Sequence, residues 1–247
     1  MKSMTYSLLI RVIAEFIGTA LLVILGNGSV ANVDLKGTKG NNGGWILIGL
    51  GYGAGVMIPA MMFATVSGAQ INPALTLAMA LNGLFPWSEV VPYIIAQVLG
   101  AMFGQLIVVW SYKPYYDQTE NPRAILGTFS TIDNADSKRD GFINEFVGTF
   151  ILIFGALAIT HDIAFKANIG LANFTLGFLV MTLVVSLGGA TGPGLNPARD
   201  LGPRIVHALY PLKNKGESMW GYAWVPVIAP FLAGIAAVFA FKGILMK

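Results

Sequence analysis

Six unbroken apolar stretches, roughly 8–30, 45–66, 90–110, 142–161, 170–187 and 220–241, restrict the fold of this chain more than any other feature. Each is close to the ~20 residues that an α-helix needs to cross a bilayer. In lipid every backbone polar group must find an internal partner, which leaves helices or a closed barrel. The stretches are continuous rather than alternating, which selects helices. Only 11% of the 247 residues are charged and 55% are hydrophobic, where a soluble domain carries about 25% charged residues. Too few charges remain to coat a water-facing surface. The first stretch stays apolar to Leu25 without a cleavage signal, so it reads as a span rather than a leader. The expected fold class is an all-α membrane protein with six transmembrane helices.

The net charge of +3 is spread along the chain, so there is no nucleic-acid footprint. Lysines and arginines lie in loops on both faces, and orientation stays open on that count. The absence of cysteine removes disulfides, thiolate metal sites and thiol catalysis. His161 and His207 stand alone. No catalytic residue, metal or cofactor is expected, and an enzyme is not.

The chain repeats itself. Ala14-Glu15-Phe16-Ile17-Gly18-Thr19 returns as Asn144-Glu145-Phe146-Val147-Gly148-Thr149, and Asn72-Pro73-Ala74 returns as Asn196-Pro197-Ala198. The glutamate-to-asparagine separations are 57 and 51 residues. Two motifs in one order at near-equal spacing mark an internal repeat. The halves are about 8–110 and 141–245, joined by a polar connection at 111–140, and together form one membrane channel domain, 1–247. Three spans per half is an odd number, so the repeats are inverted and both termini share one side.

After each Asn-Pro-Ala comes an apolar stretch too short to span, Leu75 to Leu81 and Ile205 to Leu209. Asparagine suits an N-cap and proline the first helical position, so both read as half-helices that start inside the membrane. The preceding segments, Ser67 to Ile71 and Gly188 to Leu195, read as non-helical, which is tolerated at that depth only beside a cavity or inside protein. Converging helix N-termini place positive potential at the pore centre, which opposes cations and breaks proton conduction along a water file. The amides of Asn72 and Asn196 donate to a passing oxygen. The loop backbone of Gly68, Ala69, Gln70, Gly192, Gly194 and Leu195 offers carbonyl acceptors. Glu15 and Glu145, buried in spans, need partners; a structural role toward the re-entrant loops is expected over a proton relay. Gly100 and Gly104 suit close helix packing. Tyr93, Trp110, Tyr112, Trp220, Tyr222 and Trp224 read as interfacial anchors.

The motifs Ser67-Gly68-Ala69-Gln70-Ile71-Asn72-Pro73-Ala74 and Gly192-Pro193-Gly194-Leu195-Asn196-Pro197-Ala198-Arg199 make the sequence resemble the major intrinsic protein (aquaporin) family. The resemblance runs from about Leu8 to Gly243. It implies six helices plus two re-entrant half-helices, assembled as a homotetramer. Short tails point to a bacterial plasma membrane, with both termini expected in the cytoplasm. Within the family the chain is similar to the glycerol facilitators, or aquaglyceroporins: Asp200, Arg204, Pro226 and Val227 match that branch, whereas Ile132 stands where the branch shows an aromatic. The resemblance places a selectivity filter at Tyr52, Val184, Pro193 and Arg199, wider and less polar than a water-only ring. Arg199 keeps its charge and offers fixed donors; Tyr52, Val184 and Pro193 would face the carbon side of a polyol. The implied function is a passive channel for glycerol and other small uncharged solutes (water, urea, dihydroxyacetone, hydrogen peroxide) that excludes ions and protons. The alternatives are a lactic acid or water and peroxide channel of the same family, and, from another class, a secondary transporter, which would saturate and depend on an ion gradient.

Overall fold

The computed structural model describes residues 6–192 and 194–246. Six of its helices are long and apolar enough to cross a membrane: α1 (Leu8–Asp34), α2 (Trp45–Phe63), α4 (Trp87–Gln118), α6 (Lys138–His161), α8 (Ile169–Thr191) and α10 (Val225–Leu245). Between them lie the two short helices α3 (Pro73–Leu81) and α9 (Pro197–Leu209), and the connecting turns α5 (Pro122–Gly127) and α7 (Ile163–Ala167). Apolar side chains such as Leu9, Leu50, Met61, Val91, Ile95, Phe178 and Phe239 point outward, where lipid rather than water solvates them.

The packing repeats between the halves. α1 packs on α2 and α4, and α6 packs on α8 and α10, while α2 against α8 joins the two triplets. Small residues allow close crossings. A Cβ on Gly53 would stand 2.9 Å from the Gly177 carbonyl oxygen, and one on Gly177 would stand 2.8 Å from that of Gly53. Similarly, a Cβ on Gly104 would lie 2.5 Å from the Ala20 carbonyl oxygen, and one on Gly100 would run into that of Phe16, so both glycines let α4 press on α1. The short helices cross over. α3, from the first half, packs on α10 through Ala74, Ala78, Ala237 and Val238, and α9, from the second half, packs on α4 through Val206, Val108 and Val109.

Several details differ from the sequence reading. The stretch 111–140 carries the last turns of α4, all of α5 and the first residues of α6. Residues 188–191, expected to be non-helical, continue α8, whose last carbonyls find partners in the strip after α5: the Ile132 N–H donates to Thr191 at 2.8 Å and the Asn134 N–H to Ala190 at 3.2 Å. α9 starts at Pro197 and runs 13 residues. Trp110, Trp220 and Trp224 are exposed, as an interfacial position requires, but Tyr93 and Tyr222 are buried. Tyr93 turns inward because its hydroxyl donates to the Ser67 carbonyl at 3.0 Å, and so braces the loop before α3.

Candidate functional site

Asn72 and Asn196 each cap a helix with the side-chain oxygen. Asn72 Oδ1 accepts from the Ala74 N–H at 2.9 Å, and Asn196 Oδ1 accepts from Ala198 at 3.0 Å and Arg199 at 3.3 Å. Pro73 and Pro197 occupy the first helical position, where a missing N–H leaves no bond unmade. With the oxygens committed, the amide nitrogens reach across. Asn72 Nδ2 donates to the Leu195 carbonyl at 2.9 Å, and Asn196 Nδ2 donates to the Ile71 carbonyl at 2.7 Å. The two helices therefore meet tip to tip with their positive ends together.

The loops behind these tips hold a backbone that L-residues avoid. Ala69 and Ile71 both have φ of 44°, and Leu195 has φ of 51°; for a β-branched residue such as Ile71 this is a real outlier. Conformations of this kind cost on the order of 1 kcal/mol or more and persist where the surroundings over-determine them. Two buried carboxylates do so. Glu15 accepts from Ser67 Oγ at 2.7 Å, the Gln70 N–H at 2.9 Å, the Ile71 N–H at 2.7 Å and Gln97 Nε2 at 2.8 Å. Glu145 accepts from Thr191 Oγ1 at 2.9 Å, the Gly194 N–H at 3.1 Å and the Leu195 N–H at 2.8 Å. Charge-assisted bonds are the stronger kind, and here they pull loop N–H groups inward and turn the peptides they belong to.

A narrow cavity of ≈ 50 Å³ passes the helix tips, lined by Tyr52, Val184, Arg199, Asn72 and Asn196 together with Ala69, Gln70, Gly194 and Leu195. Toward α7 it shares Ala69, Gln70, Leu75 and Leu176 with a cavity of ≈ 390 Å³ that Gly68 also lines. In the other direction it shares Arg199 with a cavity of ≈ 340 Å³ lined by Asp34, Arg123, Asn134 and Gly192. Two wide mouths thus flank a waist. Three of the four expected filter residues line that waist; Pro193 lies outside the described residues.

At the waist, an Arg199 Nη2 hydrogen bond goes to the Tyr52 hydroxyl, Nη1 donates to the Phe129 carbonyl at 3.1 Å, and the guanidinium carbon lies 4.9 Å from the centroid of the Tyr52 ring. Asp200 directly follows Arg199 in α9, and Arg204 lies one turn beyond Asp200. Arg204 Nε donates to Asp200 at 2.9 Å and Arg204 Nη2 to the Thr131 carbonyl at 2.8 Å. Asp200 in turn accepts from the Thr131 N–H at 2.7 Å and its hydroxyl at 2.6 Å. This buried pair fastens the strip around Thr131 to α9, and that strip carries the Phe129 carbonyl that meets Arg199. Pro226 and Val227 lie in the first turn of α10 and line none of the three cavities. Ile132 lines the ≈ 340 Å³ mouth. His207 is held by Ser218 and Lys215, while His161 packs edge-on against Phe241. Among the described residues no His, Asp and Glu side chains group as a metal site requires.

Sequence reasoning passed over Asn27, Gln97, Gln105 and the Phe129 carbonyl. The signal was present: Asn27, Gln97 and Gln105 are amides inside apolar spans, and all three are fully buried. In lipid such groups demand partners.

A sequence profile of the Major intrinsic protein family matches residues 2–241. The chain is 52% identical to the "Glycerol uptake facilitator protein-like 5" of Lactiplantibacillus plantarum, over 97% of this chain and 98% of that one. It is also 52% identical to the "Glycerol facilitator-aquaporin gla" of Lactococcus lactis subsp. cremoris, over 94% and 96%. Its fold is similar to the X-ray structure of the aquaglyceroporin from Plasmodium falciparum, with a TM-score of 0.84, 29% identity and 97% of each chain covered.

Proposed function

Because this chain belongs to the major intrinsic protein family, whose members are membrane channels and not enzymes, we propose that it is a passive pore for glycerol and for other small uncharged solutes: water, urea, dihydroxyacetone and hydrogen peroxide. The observation that carries this reading is the waist, where two amides, one guanidinium and apolar side chains line a single narrow passage between two wider cavities. Each asparagine amide has two N–H groups, and the opposite loop takes one of them. The other is available to a solute oxygen. Leu22, Val56, Leu75, Leu152 and Val180 supply the apolar wall that a carbon backbone slides along.

Ion and proton exclusion is part of this reading, and the same geometry supports it. Two helix N-termini and the permanently charged Arg199 make the waist electropositive, which opposes the entry of cations. A water molecule that accepts from Asn72 and Asn196 turns its hydrogens outward on both sides, which interrupts proton hopping. Glu15 and Glu145 act as braces for the loops. The working unit is a homotetramer with one pore per protomer and both termini in the cytoplasm.

Stopped-flow light scattering on reconstituted vesicles tests the reading with a panel of glycerol, urea, dihydroxyacetone, hydrogen peroxide, lactic acid and water. Glycerol entry well above protein-free vesicles, linear in concentration and indifferent to a proton or sodium gradient, is expected. Glycerol entry equal to that of protein-free vesicles sinks the reading, and saturating, gradient-driven entry reassigns the chain to the secondary transporters. Passage of lactic acid at low pH alone selects the lactic acid alternative.

A further inference from the structure

Asn27 does not line the waist: it is fully buried in α1 and borders none of the three cavities. Its hydrogen bonds nevertheless close a ring around the constriction. The Tyr52 hydroxyl donates to Asn27 Oδ1 at 2.6 Å. Arg199 Nη2 donates to the same hydroxyl oxygen. Arg199 Nη1 donates to the Phe129 carbonyl at 3.1 Å, and Asn27 Nδ2 returns to that carbonyl at 3.0 Å. Asn27 Nδ2 also donates to Gln105 Oε1 at 2.6 Å, which fixes the amide on α4. Beside it, a Cβ on Gly26 would run into the Tyr52 ring, so Gly26 leaves the space in which the ring lies.

The polarity of this ring matters. A phenol has one hydrogen to give. Because Asn27 Oδ1 takes it, the Tyr52 oxygen is left as an acceptor toward Arg199. Without Asn27 the hydroxyl is free to rotate, and its hydrogen competes with the guanidinium for the same direction. Arg199 then loses the orientation that two fixed acceptors impose on its planar fork. Its Nε–H, which has no protein partner, is turned with it.

We infer that Asn27 is a specificity-determining positioning residue of this channel, acting through Tyr52 and Arg199 to set which Arg199 donors a polyol hydroxyl meets. The inference rests on the reading of Tyr52, Val184 and Arg199 as the constriction. The full-length protein in vesicles tests it, with Asn27→Leu, which keeps the side-chain size, Tyr52→Phe, and the two combined. The readout is the ratio of glycerol to water permeability, which a loss of correctly folded protein alone leaves unchanged. Each single substitution lowers the ratio about three- to tenfold, the scale of one hydrogen bond misplaced. The combination falls no further than the worse single change, within about twofold, as expected for members of one network.

A folded Asn27→Leu protein with the original ratio, alongside a lowered ratio for Tyr52→Phe, overturns the role of Asn27 and leaves the constriction reading standing. Multiplicative losses in the combined variant also overturn it. Unchanged ratios in both Tyr52→Phe and Val184→His remove the constriction reading and the inference with it. Where Asn27→Leu alone misfolds, Asn27→Ser takes its place, since it keeps a buried hydroxyl that is too short to reach the Tyr52 oxygen and can bond within α1. A ratio lowered to the level of Tyr52→Phe supports the inference, and the original ratio overturns it.

Discussion

At the scale of single residues, the buried polar groups divide by what they touch. Glu15 and Glu145 touch loop N–H groups, and removing either leaves several donors without partners in a medium that offers no water. Glu15→Leu is therefore expected to lower folding stability by on the order of 4 kcal/mol, measured as loss of monodisperse protein on heating in detergent, whereas Glu15→Gln loses less. In either variant, whatever fraction folds keeps its solute ranking. Val184 is the opposite case. It bonds to no loop, packs among Ile48, Tyr52 and Val180 and lines the waist, so Val184→His is expected to cut glycerol permeability about tenfold or more by adding bulk and a polar edge, with water flow retained in the same vesicles. The sequence made Glu15 and Glu145 legible because a charge in an apolar setting needs a reason, and Arg199 through the family motif that it closes. Asn27 and Gln105 escaped because a neutral amide in a helix does not stand out until its burial is known.

At the scale of elements, the half-helices show how little chain is needed to build a site. α3 is nine residues long, and its start is fixed by an asparagine cap and a proline. Those signals are local, which is why the helix starts could be read from sequence. Their far ends could not. The length of α9 depends on Lys215, whose ammonium meets the His207, Ala208 and Tyr210 carbonyls at 2.9, 2.8 and 2.9 Å from a turn beyond the helix. That contact stabilises a helix C-terminus through hydrogen bonds and charge. Lys215→Met is expected to lower thermal stability by about 1–2 kcal/mol without altering the glycerol-to-water ratio; a shifted ratio would show that the end of α9 reports to its tip. The continuation of α8 to Thr191 was missed for a related reason. Glycine-rich sequence reads as loop, and only the fold brings the Ile132 and Asn134 N–H groups to the last carbonyls of the helix.

At the scale of the whole molecule, the inverted repeat was visible as two motif pairs, and the membrane character as a shortage of charge. The way the halves interlock was not visible, since no local pattern says that α3 packs on α10 and α9 on α4. The outward belt of Leu9, Leu50, Ile95, Phe178 and Phe239 makes detergent obligatory. The assembly is predicted to migrate at four times the chain mass of 26.3 kDa when sized by light scattering with the detergent contribution subtracted; a monomer mass would refute the tetramer. The crossing of the two short helices also bears on how the protein is made. α3 leaves the ribosome long before α10, its main packing partner, has been translated, and Asn72 waits on Leu195 for its cross-bond. Throughout that interval the insertion machinery has to shelter a half-inserted, polar loop from acyl chains. A chain that stops before residue 225 therefore lacks the helix against which α3 closes.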